Sequence, residues 1–221
     1  MNRMQVRSRI EAIGIVPSIR VSTTEDALFA ADAVARGGIP IVEITLTVPE
    51  AIKVMSQVVQ HAPEVLVGAG GVCDVETARR CVDAGAQFLT SDALDPQVVR
   101  FAVENDLVVF PGVLTPTEIS SARTLKPDFV KVVPCGHLGG DSYIRSLKAM
   151  FPDVQMIAAG GVNQRNAFDL IRAGAAALGV GGELIPREAV KRRQADRIIE
   201  LAGRFLQSVR SCRAQFSARQ A

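Results

Sequence analysis

The sequence predicts an α/β fold, a single (β/α)8 TIM barrel. Short apolar runs rich in β-branched residues recur eight times, capped helical patterns fill the intervals, and no GxGxxG fingerprint follows the first run. The spacing, roughly twenty to twenty-five residues, holds a strand, a turn and about three turns of helix. A doubly wound sheet is the competing architecture; its usual glycine signature is missing.

In chain order the runs cover residues 13–19, 39–46, 65–69, 87–90, 107–110, 129–133, 154–158 and 176–180. Thr23 or Thr24 can cap a helix carrying Glu25 and Asp26 in its first turn. Pro49-Glu50, the segment 74–76 and the segment 116–118 open others, since proline is well tolerated at a first helical position. Gly37-Gly38, Gly85 and Gly174 read as helix ends. DAGAQ at 83–87 and RAGAA at 172–176 are one helix-to-strand joint used twice.

The 221 residues, 48% hydrophobic and 22% charged, describe a globular chain able to bury a sizeable core. Nothing suggests a linker or second domain, so residues 1–221 are expected to form one domain. The net charge of +2 gives no argument for nucleic acid. Basic residues crowd the last stretch (Lys191, Arg192, Arg193, Arg197, Arg204, Arg210, Arg213, Arg219), where Ile198, Leu201, Ala202, Phe205, Leu206 and Val209 recur at helical spacing. That pattern predicts a final amphipathic helix with a solvated basic face, fraying after about residue 209. No apolar stretch approaches membrane-spanning length, and the polar N-terminus lacks a following signal-length apolar segment. Cys73, Cys81, Cys135 and Cys212 form no CxxC pair. A reduced, cytoplasmic chain is the expectation.

Chemistry in a barrel of this kind gathers at the C-terminal strand ends. Those ends carry Arg20, Glu43, Gly70-Gly71, Thr90-Ser91-Asp92, Pro111-Gly112, Lys131, Gly160-Gly161 and Gly181-Gly182. Lys131 and Glu43 are the unlike charges set most deeply in apolar runs. Burial disfavours an ammonium, and a neutral lysine amine is the usual nucleophile toward carbonyls. Period-two geometry puts Glu43 on one face with Ile41 and Thr45, and Lys131 with Phe129 and Val133. If both faces point inward, the groups converge near the barrel mouth. The plainer alternatives are a lysine that snorkels to solvent or a structural Lys–Glu pair. The two Gly-Gly turns suit a phosphate cradle of backbone amides, or simply tight bends. His61 and His137 show no metal-ligand spacing. Cys135 reads as a small apolar filler.

Taken together, VEITL, GAG, PGVLTPTE, FVKVVP, AAGGV and GVGGELIP resemble the 2-keto-3-deoxy-6-phosphogluconate and 4-hydroxy-2-oxoglutarate aldolase family, in order over nearly the whole chain. The resemblance implies a trimeric class I aldolase without metal or organic cofactor, cleaving a 2-keto-3-deoxy acid to pyruvate and an aldehyde. It assigns Schiff-base formation to Lys131 and general acid/base work to Glu43. Many members carry arginine where this chain has Thr47, and those with threonine or asparagine there use the first-strand arginine, which shifts carboxylate binding to Arg20. Thr47 and Gly71 are the neighbouring carboxylate positions; Gly71 replaces a hydroxyl residue of the usual GAGTV. Gly160, Gly161, Gly181, Gly182 and Glu183 fall at the phosphate or distal end, with Glu183 in place of the phosphate-contacting serine. Asp92 replaces a proline and adds a negative charge near the mouth. The implied ligand is a small 2-keto acid, with no nucleic acid or membrane partner. A sugar-phosphate epimerase using the Lys131–Glu43 pair is the alternative; a metal-dependent aldolase or a non-catalytic binding barrel are more distant ones.

Overall fold

The computed structural model describes the backbone of residues 1–220 and the side chains through Phe216. Nine parallel strand segments alternate with helices. They are β1 (Ile15–Ile19), β2 (Ile41–Thr45), β3 (Leu66–Gly70), β4 (Phe88–Thr90), β5 (Val108–Phe110), β6 (Gly112–Val113), β7 (Val130–Val132), β8 (Met156–Ala159) and β9 (Ala177–Val180). The sheet order is β5-β4-β3-β2-β1-β9-β8-β7-β6. Only Pro111 separates β5 from β6, so the two occupy one barrel position and the eight expected positions are all present. Closure comes from the amides of Phe129 and Lys131, which donate to the carbonyls of Val109 (3.4 Å) and Pro111 (2.8 Å).

The outer layer begins with α1 (Arg3–Ile13) and continues with α2 (Thr24–Arg36), α3 (Ala51–His61), α4 (Val75–Asp83), α5 (Pro96–Glu104), α6 (Pro116–Thr124), α7 (Gly140–Met150), α8 (Ala167–Arg172), α9 (Arg187–Lys191) and α10 (Ala195–Gln220). Local chemistry explains several starts. Thr23 accepts from the Asp26 amide, Asp74 from that of Thr77, and Thr115 forms a capping box with Glu118. The twin joints both turn on a left-handed glycine, Gly85 at φ 96° and Gly174 at φ 107°.

Two terminal features differ from the sequence expectation. The first strand run, read as starting at Ile13, begins at Ile15, because α1 precedes it and ends at the left-handed Gly14. An Asn2–Gln5 capping box starts α1, which buries Val6 and Ile10 against the barrel. The final helix, expected to fray after about residue 209, continues to Gln220. Cys212 is fully buried, and Arg213 donates to the carbonyls of Glu11, Ala12 and Ala176, tying α10 to α1 and to the start of β9. An arginine that bonds three carbonyls holds the helix where the apolar stripe alone gives out. The side chain of Arg219 lies outside the described residues. Among the described residues no helix is long and apolar enough to cross a membrane.

The barrel interior is plugged by aromatic rings. Phe88 and Phe110 stack with centroids 5.2 Å apart, and Phe129 meets Phe110 edge-on at 5.9 Å. Gly68 makes room for that stack, since a Cβ there would overlap the Phe88 ring. Gly68→Ala should therefore cost about 1–3 kcal/mol through overpacking, read as a lower urea midpoint with unchanged slope. An unchanged midpoint would show that the ring has room to move.

Candidate active site

The strand register brings the polar residues to one level at the C-terminal mouth. Ser18 on β1 is paired with Glu43 on β2, and Lys131 on β7 is paired with Gly112 and Ile157. Glu43 and Lys131 are 6% and 5% exposed, so both charged groups sit inside the apolar wall. The lysine does not snorkel to solvent.

Lys131 and Glu43 converge, but not as an ion pair. The Lys131 ammonium donates to Thr90 Oγ1 at 3.2 Å, and the Thr90 hydroxyl donates to Glu43 Oε2 at 3.0 Å. The other carboxylate oxygen accepts from Ser18 at 2.8 Å. Glu43 is thus fixed by two hydroxyls and reaches Nζ through one of them. Gly70 leaves the space it needs, because a Cβ there would overlap the Glu43 carboxylate. Hydroxyl partners suit a group that must exchange protons, since they can donate or accept as its charge changes.

The direct ionic partner of Lys131 is Asp92, in the loop after β4. Its Oδ1 lies 2.7 Å from Nζ, and its Oδ2 lies 3.8 Å from Arg20 Nη2. Burial pushes the Asp92 carboxyl up, but the hydrogen bond and charge of Lys131, with the charge of Arg20, hold it below the usual aspartate range. The carboxylate is therefore ionised at neutral pH.

These groups open onto a cavity of about 280 Å³ lined by Ser18, Arg20, Glu43, Asp92, Lys131, Val133, Ala159, Gly160, Gly179, Gly181 and Gly182. The volume suits a small ligand. Thr47 and Gly71 do not line it. Thr47 instead shares a 2.7 Å hydrogen bond with Thr45, and Gly71 turns at φ 78° with open space where a side chain would point. Gly161 lies one residue beyond the lining, with His137 at its edge. Glu183 belongs to an adjoining cavity of about 590 Å³ that shares Gly182 and also contains Asn163, Gln164, Arg165 and Arg197. The amides of Gly161, Gly182 and Glu183 donate to no other group among the described residues. Cys135 is buried, and burial pushes its thiol up to about 11, as fits a filler rather than a nucleophile.

Ser18 carried no sequence signal, and Thr90, though read at a strand end, carried none for its place between Lys131 and Glu43. A serine and a threonine in strand runs look ordinary until the register places both against one carboxylate. Asp92 stood out as an extra charge, but its contact with Lys131 spans 39 positions of sequence.

The chain is similar to known proteins over most of its length. The family model described as KDPG and KHG aldolase matches residues 6–201. A KHG/KDPG aldolase of Escherichia coli is 30% identical over 189 residues, covering 85% of this chain and 88% of the relative. A 2-dehydro-3-deoxy-phosphogluconate aldolase of Pseudomonas aeruginosa is 30% identical, covering 86% and 89%. Among solved structures, a KDPG aldolase from Legionella pneumophila with pyruvate captured as a covalent carbinolamine superposes with a TM-score of 0.83 at 28% identity, covering 90% of this chain and 97% of that one. With the match running from the first helix into the last, the chain belongs to the KDPG and KHG aldolase family.

Proposed function

We propose that the protein is a class I aldolase that cleaves a 2-keto-3-deoxy acid, of the 6-phosphogluconate or 4-hydroxy-2-oxoglutarate type, to pyruvate and an aldehyde. The observation that carries the reading is the buried Lys131 amine at the cavity floor, one hydroxyl away from Glu43. Family membership supports it, as does the pyruvate carbinolamine captured in the Legionella relative.

In this reading Lys131, once deprotonated, attacks the C2 ketone, and the ketone oxygen leaves as water, giving an iminium. Breakage of C3–C4 delivers its electron pair to C3, and the iminium accepts it as an enamine. Glu43 takes the C4 hydroxyl proton, directly or through Thr90, and returns a proton to the enamine carbon. Water then hydrolyses the iminium to pyruvate and free lysine. Arg20 holds the carboxylate of the pyruvyl half; Thr47 and Gly71 shape the rim beyond it. Gly160, Gly161, Gly181 and Gly182 receive the distal end with their backbone amides, and Glu183 opposes an anion there from the adjoining cavity. An epimerase has no observation in its favour beyond the same Lys–Glu pair. The family resemblance further supports a homotrimer with no metal or organic cofactor taking part, and the lack of a CxxC pair among the four cysteines supports a reduced, cytoplasmic setting.

Lys131→Ala should abolish pyruvate release from 2-keto-4-hydroxy acids while circular dichroism stays native; appreciable residual cleavage would remove the Schiff-base assignment. Glu43→Gln should lower kcat by roughly 10²–10⁴-fold, the usual range for a general acid/base, while pyruvate still adds to the lysine. An unchanged kcat would take Glu43 out of the chemistry. Glu183→Ser should raise kcat/KM for the phosphorylated over the unphosphorylated substrate several-fold, on the order of 1 kcal/mol for one charge near the surface. A constant ratio would place the phosphate elsewhere.

A further inference from the structure

We infer that Asp92 is the counter-ion of the Schiff-base nitrogen, a catalytic residue that stabilises the iminium formed at Lys131. This inference rests on the aldolase reading and adds a residue to it. Among the described residues Asp92 is the one carboxylate within ion-pair distance of Nζ; Glu43 is connected only through Thr90. Lys131 is 5% exposed, so a positive charge on its nitrogen depends on a local partner.

The fold builds this contact deliberately. Gly112 is in register with Lys131, and a Cβ on Gly112 would overlap the backbone of Asp92. Glycine at that point lets the β4 loop lie across β6 and bring Asp92 over the amine. Arg20 approaches the other carboxylate oxygen from β1, so the acid is tethered from two sides although its side chain is half exposed.

The charge bookkeeping follows the reaction. Condensation joins Nζ to C2 and expels water, leaving one positive charge on nitrogen and one N–H, which Asp92 Oδ1 is placed to accept. When C3–C4 breaks, its electron pair becomes the C2=C3 bond, the C2=N pair returns to nitrogen, and the hydroxyl proton goes to Glu43. The nitrogen is now neutral, and Arg20 remains as the cation facing Asp92. The carboxylate thus favours the iminium over the uncharged forms, the neutral imine and the neutral amine, and it stays paired with Arg20 through the enamine.

Asp92→Asn keeps the shape and the acceptor oxygen and removes only the charge. Incubation with sub-saturating pyruvate and cyanoborohydride, with the reduced adduct counted by intact mass, reads the iminium population. Loss of a charge-assisted hydrogen bond predicts roughly 10-fold to 100-fold less adduct formation at equal time, with kcat/KM for cleavage falling in parallel. Asp92→Ser gives the same reading if the amide variant does not fold. Adduct formation at the native level in the uncharged variant would overturn the counter-ion role while leaving the aldolase reading intact. No adduct in the native protein would overturn both.

Discussion

The cost of keeping a cation inside an apolar barrel governs the layout of this protein's mouth. Lys131 stands on β7, almost fully buried, and lines the cavity with its side chain. Desolvation penalises its charge, and the structure offsets that penalty with one carboxylate, Asp92, and one hydroxyl, Thr90. Neither partner is on a neighbouring strand, so both depend on the barrel being closed. Closure in turn runs through the amide of Lys131 itself, which donates to Pro111. The proposed nucleophile is therefore also part of the seam.

The same constraint separates the two carboxylates by environment. Glu43, almost fully buried, is held by two hydroxyls, which can donate or accept in turn. Asp92, half exposed and flanked by two cations, is held ionised. In the proposed mechanism the first environment serves proton exchange and the second a fixed charge, so two chemically similar side chains take different parts.

Much of this was legible in the chain. The period-two pattern set Glu43 and Lys131 each on one face of its strand, with convergence if both faces point inward, and the repeat of β-branched runs defined all eight barrel positions. The joints at Gly85 and Gly174 matched because left-handed glycine leaves a clear mark. What sequence could not show depends on register between distant strands. Thr90 lies between Lys131 and Glu43 only because β3, β4 and β5 align Gly70, Thr90 and Phe110. The first helix hid behind a polar composition with just two buried residues, and α10 outlasted its apolar stripe because an arginine anchors it to carbonyls. Thr47 and Gly71 fall outside the cavity lining for a similar reason: each belongs to a strand-end turn whose direction the sequence does not encode.

Schiff-base formation at Lys131 is tested by trapping the protein with pyruvate and borohydride and mapping the reduced adduct by peptide mass spectrometry. One pyruvyl group per chain is expected, on Lys131 and on none of Lys53, Lys126, Lys148 or Lys191. A folded protein with no adduct, or with the adduct on another lysine, would contradict it.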